Sequence, residues 1–208
     1  MGKIKSVFII GGYKSETKKF LKKEAEKHDF VLALDGGADI ALNAGIMPDM
    51  SIGDFDGISS GAKAKIGKEK LFKVARQDNT DMEKGLDLCK VLKPQKITVA
   101  CAAGGRVDFT VGNFISLLNY AKYFDIEVKS ADFSVYPLIK GGTFKVRKGA
   151  TVSLVPFTVI KNITLSGLKY TLKNETLKPS QMAVSNSALK DKFTVAFDKG
   201  KLLLAVYK

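Results

Sequence analysis

Phe30-Val31-Leu32-Ala33-Leu34-Asp35-Gly36-Gly37-Ala38 is the stretch on which the reading of the fold turns. Its five opening apolar residues read as a strand. An acid and two glycines then end the run, and a helix candidate follows over 38–44. Strand, tight turn and helix make half of a βαβ unit, and such units alternating along the chain build a mostly parallel sheet. Outward from it the pattern repeats. Strands are predicted at 6–10, 50–52, 71–75, 97–102 and 126–129, and helices at 15–27, 59–66, 81–92 and 107–124. In the helix over 81–92, Met82, Leu86 and Cys89 keep a period near 3.6 and are expected to face the core, and Thr80-Asp81-Met82-Glu83 reads as a capping box.

After about residue 132 the helical periodicity stops. Short β-rich runs at 143–147, 151–157, 163–166, 193–197 and 202–207 are punctuated by Gly141, Gly142, Gly149, Gly167 and Gly200. The expected architecture is an α/β domain over 1–131, with a mostly parallel sheet and flanking helices, followed by a smaller all-β sandwich over 132–208.

The 208 residues, 45% hydrophobic and 26% charged, have the composition of an ordinary globular protein. The longest early apolar run, 7–10, is far too short for a signal peptide or a membrane span. The opening Met1-Gly2-Lys3-Ile4-Lys5-Ser6 matches a myristoylation pattern by form alone, and the sequons at Asn162 and Asn174 need a secretory route that nothing supports. Cys89 and Cys101 fall in apolar patterns and make no disulfide framework, so a reducing cytoplasm fits. The net charge of +13 comes almost wholly from scattered lysines, with arginine only at 76, 106 and 147. Readers of nucleic acid concentrate arginine or aromatics on one face. No specific nucleic-acid partner is expected. The lone His28, at the polar end of a helix candidate, is expected at the surface, leaving no partner for Ser/His or Cys/His covalent chemistry.

Ligands of open α/β sheets bind outside the carboxyl ends of the strands. Four consecutive strand ends carry acids, glycines or both: Asp35-Gly36-Gly37, Gly53-Asp54-Phe55-Asp56, Arg76-Gln77-Asp78-Asn79-Thr80-Asp81 and Ala103-Gly104-Gly105-Arg106-Val107-Asp108. Carboxylates crowded on one edge repel unless a cation holds them, and hard oxygen ligands together with substrate phosphates select Mg²⁺. In an extended segment Asp54 and Asp56 would point the same way about 7 Å apart, and Arg106 is the natural phosphate fork. No Walker A or G-x-G-x-x-G sequence occurs.

These motifs resemble, in order and spacing, those of the thiamine pyrophosphokinase family. The likeness continues through Pro48-Asp49 and Asn113, and in the second module through Val152–Phe157, Gly167–Leu172 and Ser185-Asn186. The resemblance implies transfer of the pyrophosphoryl group of Mg·ATP to thiamine, an α/β domain followed by a β-sandwich, and a homodimer with its active site between subunits. It implies Asp54, Asp56 and Asp81 as Mg²⁺ ligands and Asp35, Gly36, Gln77, Thr80, Arg106, Asp108 and Asn113 around ATP, with Arg106 and Asp108 also in the catalytic set. Ser185 and Asn186 would approach thiamine. Gly57 stands where the family usually has serine, and Phe109 where bacterial members often have histidine. The alternatives are a related pyrophosphokinase for another hydroxymethyl heterocycle, such as a pterin, and a non-catalytic binder of thiamine or nucleotide. Acceptor choice should sit in 180–189, and the intact aspartates argue against the binder.

Overall fold

The computed structural model describes residues 3–74, 78–180 and 182–208. The chain divides after Ala131 into two compact units.

In the first unit, strands β1 (Ser6–Ile10), β2 (Phe30–Leu34), β3 (Met50–Gly53), β4 (Leu71–Lys73), β5 (Lys96–Ala100) and β6 (Asp125–Lys129) lie in the order β6-β5-β1-β2-β3-β4. Every pairing is parallel, with Val7 opposite Phe30 on one side of β1 and Ile97 on the other. Helices α1 (Lys18–Ala25), α2 (Gly37–Asn43), α3 (Ser60–Ile66), α4 (Asp81–Leu92) and α5 (Val107–Tyr120) connect them. All five residues of β2 are buried, as a strand covered on both faces requires.

Of the caps, only the Thr80–Glu83 box was read from the sequence. Ser59 Oγ accepts the Ala62 N–H at 3.1 Å and Thr17 Oγ1 the Phe20 N–H at 3.2 Å. Thr80 and Glu83 form the reciprocal box: the Thr80 N–H donates to Glu83 Oε2 (3.0 Å) and the Glu83 N–H to Thr80 Oγ1 (3.3 Å). Thr17 also explains why α1 begins later than its periodicity predicts: the capping side chain, not the first polar residue, sets the start. Met82, Leu86 and Cys89 are buried as expected.

His28 departs from expectation. It is half-buried, stacked 5.4 Å from the Phe8 ring, with Nε2 2.8 Å from Thr98 Oγ1 and Nδ1 2.7 Å from the Glu24 carbonyl. The turn that ends α1 folds the ring back onto β1 and β5, which a helical-wheel reading cannot see.

In the second unit all pairings are antiparallel. Its strands are β7 (Phe133–Leu138), β8 (Gly142–Lys145), β9 (Thr151–Pro156), β10 (Ile160–Ser166), β11 (Glu175–Leu177), β12 (Asn186–Ser187), β13 (Lys192–Ala196) and β14 (Leu202–Tyr207). They form two layers, β12-β9-β14-β7 and β11-β10-β13-β8. Val152, Leu154 and Leu204 of one layer and Ile163, Phe193 and Val195 of the other share one core. β7 was not anticipated. Pro137 demotes such a run in a sequence reading, yet it pairs here opposite Leu203.

Candidate active site

In the first unit the chain runs from β1 through β2 and β3 to β4, then returns to the opposite side of β1 with β5 and β6. The strand order therefore reverses beside β1, and a crevice opens at such a switch point. A cavity of about 610 Å³ lies there, with Gly12, Asp35, Asp81, Cys101, Arg106 and Asn113 among its lining. That is ample for a nucleotide-sized ligand.

Three carboxylates meet at this edge. One oxygen each from Asp35, Asp54 and Asp81 lie within 4.8 Å of one another. The backbone does the gathering. Asp35 leaves β2 in the left-handed region (φ 43°), Asp54 follows β3, and Asp81 is the first residue of α4. Gly85 lets α4 press on β2, since a Cβ there would stand 2.6 Å from Leu34 Cδ2, one residue before Asp35. Oδ2 of Asp35 accepts the Gly57 N–H at 3.0 Å, while its Oδ1 is buried with no hydrogen-bond partner among the described residues. Burial first, then the charges of Asp81 and Asp54, push the Asp35 carboxyl above its ordinary pKa. An orphaned buried oxygen among three crowded carboxylates fits a hard divalent cation.

The geometry expected of 54–56 needs correction. Phe55 sits at φ 68° with its side chain buried, and the Asp56 N–H turns back to Asp54 Oδ1 at 3.2 Å. The segment is a turn rather than an extended pair, and the group it joins contains Asp35, not Asp56. Gly57 acquires a reason here. A Cβ on it would collide with Asp35 Oδ2, so a serine could not stand there with the Asp35 carboxylate in this position.

Arg106 caps the start of α5 with its guanidinium exposed. Nε and Nη2 donate to the two oxygens of Asp108, at 3.2 and 2.6 Å, and the Phe109 ring lies 4.4 Å beneath its carbon. The fork with Arg106 holds the Asp108 carboxyl below its usual range. Phe109 thus acts on Arg106 as a flat support, a part that requires a π face and no titrating nitrogen. Arg106, Phe109 and Asn113 line the cavity, and Asn113 Nδ2 is fixed to the Ala102 carbonyl at 2.8 Å. Gly36 and Thr80 line it as well, although Thr80 Oγ1 is engaged as a cap. Gln77 lies outside the described residues.

Ser185 and Asn186 belong to the second unit. Ser185 is exposed, left-handed (φ 58°), and anchored by its N–H to Ser153 Oγ at 3.0 Å. Asn186 is 4% exposed and clamps the main chain of Tyr170. Its Oδ1 accepts the Tyr170 N–H (3.0 Å) and the Ser187 N–H (2.8 Å), and Nδ2 donates to the Tyr170 carbonyl (2.7 Å). Tyr170 as a residue stays 62% exposed, its main chain held by that clamp.

Sequence reasoning missed one wall of the cavity. Gly11-Gly12-Tyr13 follows β1 as Asp35-Gly36-Gly37 follows β2, and the glycine pair was the available signal. The Gly11 N–H bonds the Ala100 carbonyl and the Tyr13 N–H that of Cys101, so the segment is stitched to the end of β5.

Comparisons with known proteins agree over both units. Residues 21–129 match the family model described as thiamin pyrophosphokinase, catalytic domain, and 143–202 that of the vitamin B1 binding domain. The chain is 28% identical to the thiamine pyrophosphokinase of Bacillus subtilis (strain 168), covering 97% of this chain and 98% of that protein. The crystal structure of thiamine pyrophosphokinase from Bacillus subtilis superposes with a TM-score of 0.87 at 26% identity, over 98% of this chain and 99% of that one. The one from Geobacillus thermodenitrificans gives 0.83 at 26% identity, over 98% and 97%. Thiamin pyrophosphokinase from Candida albicans shares the fold, with a TM-score of 0.83 at 18% identity over 97% and 89%. With sequence, fold and both family models in agreement, the chain belongs to the thiamin pyrophosphokinase family.

Proposed function

We propose that this protein transfers the pyrophosphoryl group of Mg·ATP to the hydroxyl of thiamine, giving thiamine diphosphate and AMP. The observation that carries the reading is the Asp35–Asp54–Asp81 cluster, with its orphaned Asp35 oxygen, two of whose members, Asp35 and Asp81, line the cavity at the switch point. Asp54 and Asp81, with Asp35 beside them, are assigned to hold Mg²⁺, and Asp56 follows on the same turn. The chemistry a bound magnesium ion supplies is neutralisation of phosphate charge. The chain's own residues position the reactants. Arg106, already stacked and forked, keeps its remaining N–H groups for phosphate. Gly36 and Asn113 shape the nucleotide wall, with Gln77 assigned beside them. Thr80 fixes the start of α4, and with it the backbone of Asp81. The first unit is the catalytic domain in this reading and the second the thiamine-binding domain, with Ser185 and the Asn186–Tyr170 clamp facing the acceptor.

The experiment is AMP release from Mg·ATP with thiamine, beside a panel of heterocyclic alcohols that includes a hydroxymethylpterin. Turnover with thiamine and not with the pterin is expected. The reverse preference would overturn the assignment.

We also assign a homodimer with the active site at the subunit interface. The support is α5, which sends Phe109 and Asn113 to the cavity while Val107, Val111 and Ile115 form an exposed apolar stripe at i, i+4 and i+8. Sedimentation should give twice the chain mass, and Ile115→Glu should shift it toward monomer. A wild-type monomer at assay concentration would remove the assignment. No helix among the described residues is long and apolar enough to cross a membrane. The cytoplasm is the assigned compartment, which suits two buried free thiols, and no nucleic-acid partner is assigned.

A further inference from the structure

Lys84 is 5% exposed, and an ammonium is costly to bury without a partner. Its Nζ stands 2.8 Å from Asp81 Oδ1, a member of the acidic cluster. The two residues are three apart on α4 and share one edge of the helix. The capping box fixes the backbone of that first turn, and Gly85, next along the helix, lets α4 press against the end of β2. The backbone thus brings one oxygen of each of the three carboxylates within 4.8 Å of the others. A positive charge beside them lowers the cost of that crowding when no ion is bound, and among the described residues Lys84 is a buried cation in contact with the cluster.

We propose that Lys84 is a positioning residue of the transfer site, the resident counter-charge of the Asp35–Asp54–Asp81 cluster. It holds Asp81 by Oδ1, keeps the cluster assembled while the cation is absent, and leaves Asp81 Oδ2 and Asp35 Oδ1 for the ion. The inference rests on the reading of the cluster as a cation site.

The test needs no turnover. Thermal unfolding of wild type, Lys84→Met, Lys84→Arg and Lys84→Met/Asp81→Asn is followed in chelator and across a Mg²⁺ titration without nucleotide. Lys84→Met should unfold at a lower temperature in chelator, and saturating Mg²⁺ should recover at least half of the deficit. By linkage, that variant then binds Mg²⁺ alone more tightly than wild type does, by about threefold or more for the loss of one adjacent positive charge. Lys84→Arg should retain the wild-type response, and the double variant should regain stability in chelator because the charge it must offset is gone. A deficit of the same size with and without Mg²⁺ would reduce Lys84 to an ordinary structural ion pair and overturn the proposal. Should metal-free Lys84→Met not fold, refolding in Mg²⁺ or in the Asp81→Asn background should recover it, and failure of both overturns the proposal too. A wild type unmoved by Mg²⁺, alone and with ATP, is a different failure, since it removes the cation-site reading itself.

Discussion

Asp54→Asn is expected to lower kcat at least ~100-fold, about 2.7 kcal/mol of transition-state stabilisation, while the metal-free protein unfolds no earlier than wild type. The change removes one of three carboxylates held within 4.8 Å, so repulsion falls while the surrounding fold is untouched. Asp35→Asn carries the stability half of the argument with its sign. The folded Asp35 carboxyl has a pKa raised above its ordinary value, chiefly by burial and then by Asp81 and Asp54. A group raised on folding contributes stability below its unfolded pKa and loses it as pH rises through the folded value. Metal-free wild type should therefore fall behind Asp35→Asn as pH climbs from the acid range toward neutrality, and the two should converge in acid. Thermal unfolding in chelator over that pH range checks it. An asparagine variant less stable at every pH would mean that the carboxylate is held by an attraction absent from this description. An Asp54→Asn protein with more than about a tenth of wild-type kcat, a loss under ~1.4 kcal/mol, would remove Asp54 from the cation site.

Much of this site could be read from the chain because the fold places strand ends together by rule. The glycines and acids after β2, β3 and β5 needed only the topology to bring them to one edge. What escaped was decided by backbone excursions that no periodicity encodes. Phe55 turns left-handed and buries its ring, which rotates Asp54 toward Asp35 and away from a side-by-side arrangement with Asp56. Gly57 looked like the loss of a hydroxyl, but in the fold its missing Cβ makes room for the Asp35 carboxylate. Lys84 read as one more lysine among many, yet it is buried against Asp81. The strand β7 hid behind Pro137, and His28 behind a helix end that folds inward. Except for Lys84, whose partner Asp81 is three residues away and whose burial alone escaped the reading, the deciding contact joins residues distant in sequence or depends on a single φ angle.

Asn186 carries the second large effect. The resemblance pointed to a thiamine ligand, while the structure shows a side chain 4% exposed whose amide is spent on both main-chain groups of Tyr170. Asn186→Ala should leave the Tyr170 N–H and carbonyl and the Ser187 N–H without this partner, at about 1–3 kcal/mol for each that water does not reach. A clear drop in unfolding temperature should follow. Because the lost bonds hold the main chain of the exposed Tyr170, KM for thiamine should rise about tenfold or more, equivalent to ~1.4 kcal/mol of acceptor binding, while KM for ATP stays within about twofold. Asn186→Asp separates a clamp from a ligand. It keeps the shape and the Oδ1 acceptor, but sets a carboxylate oxygen against the Tyr170 carbonyl where Nδ2 had donated. It should therefore cost as much stability as alanine. If Asn186→Asp leaves stability unchanged and alters only thiamine KM, the side chain meets the substrate directly and the clamp is not its purpose. Tyr170→Ala completes the comparison, since it removes the ring while retaining the main-chain bonds to Asn186. It should reproduce the thiamine defect without the loss of stability.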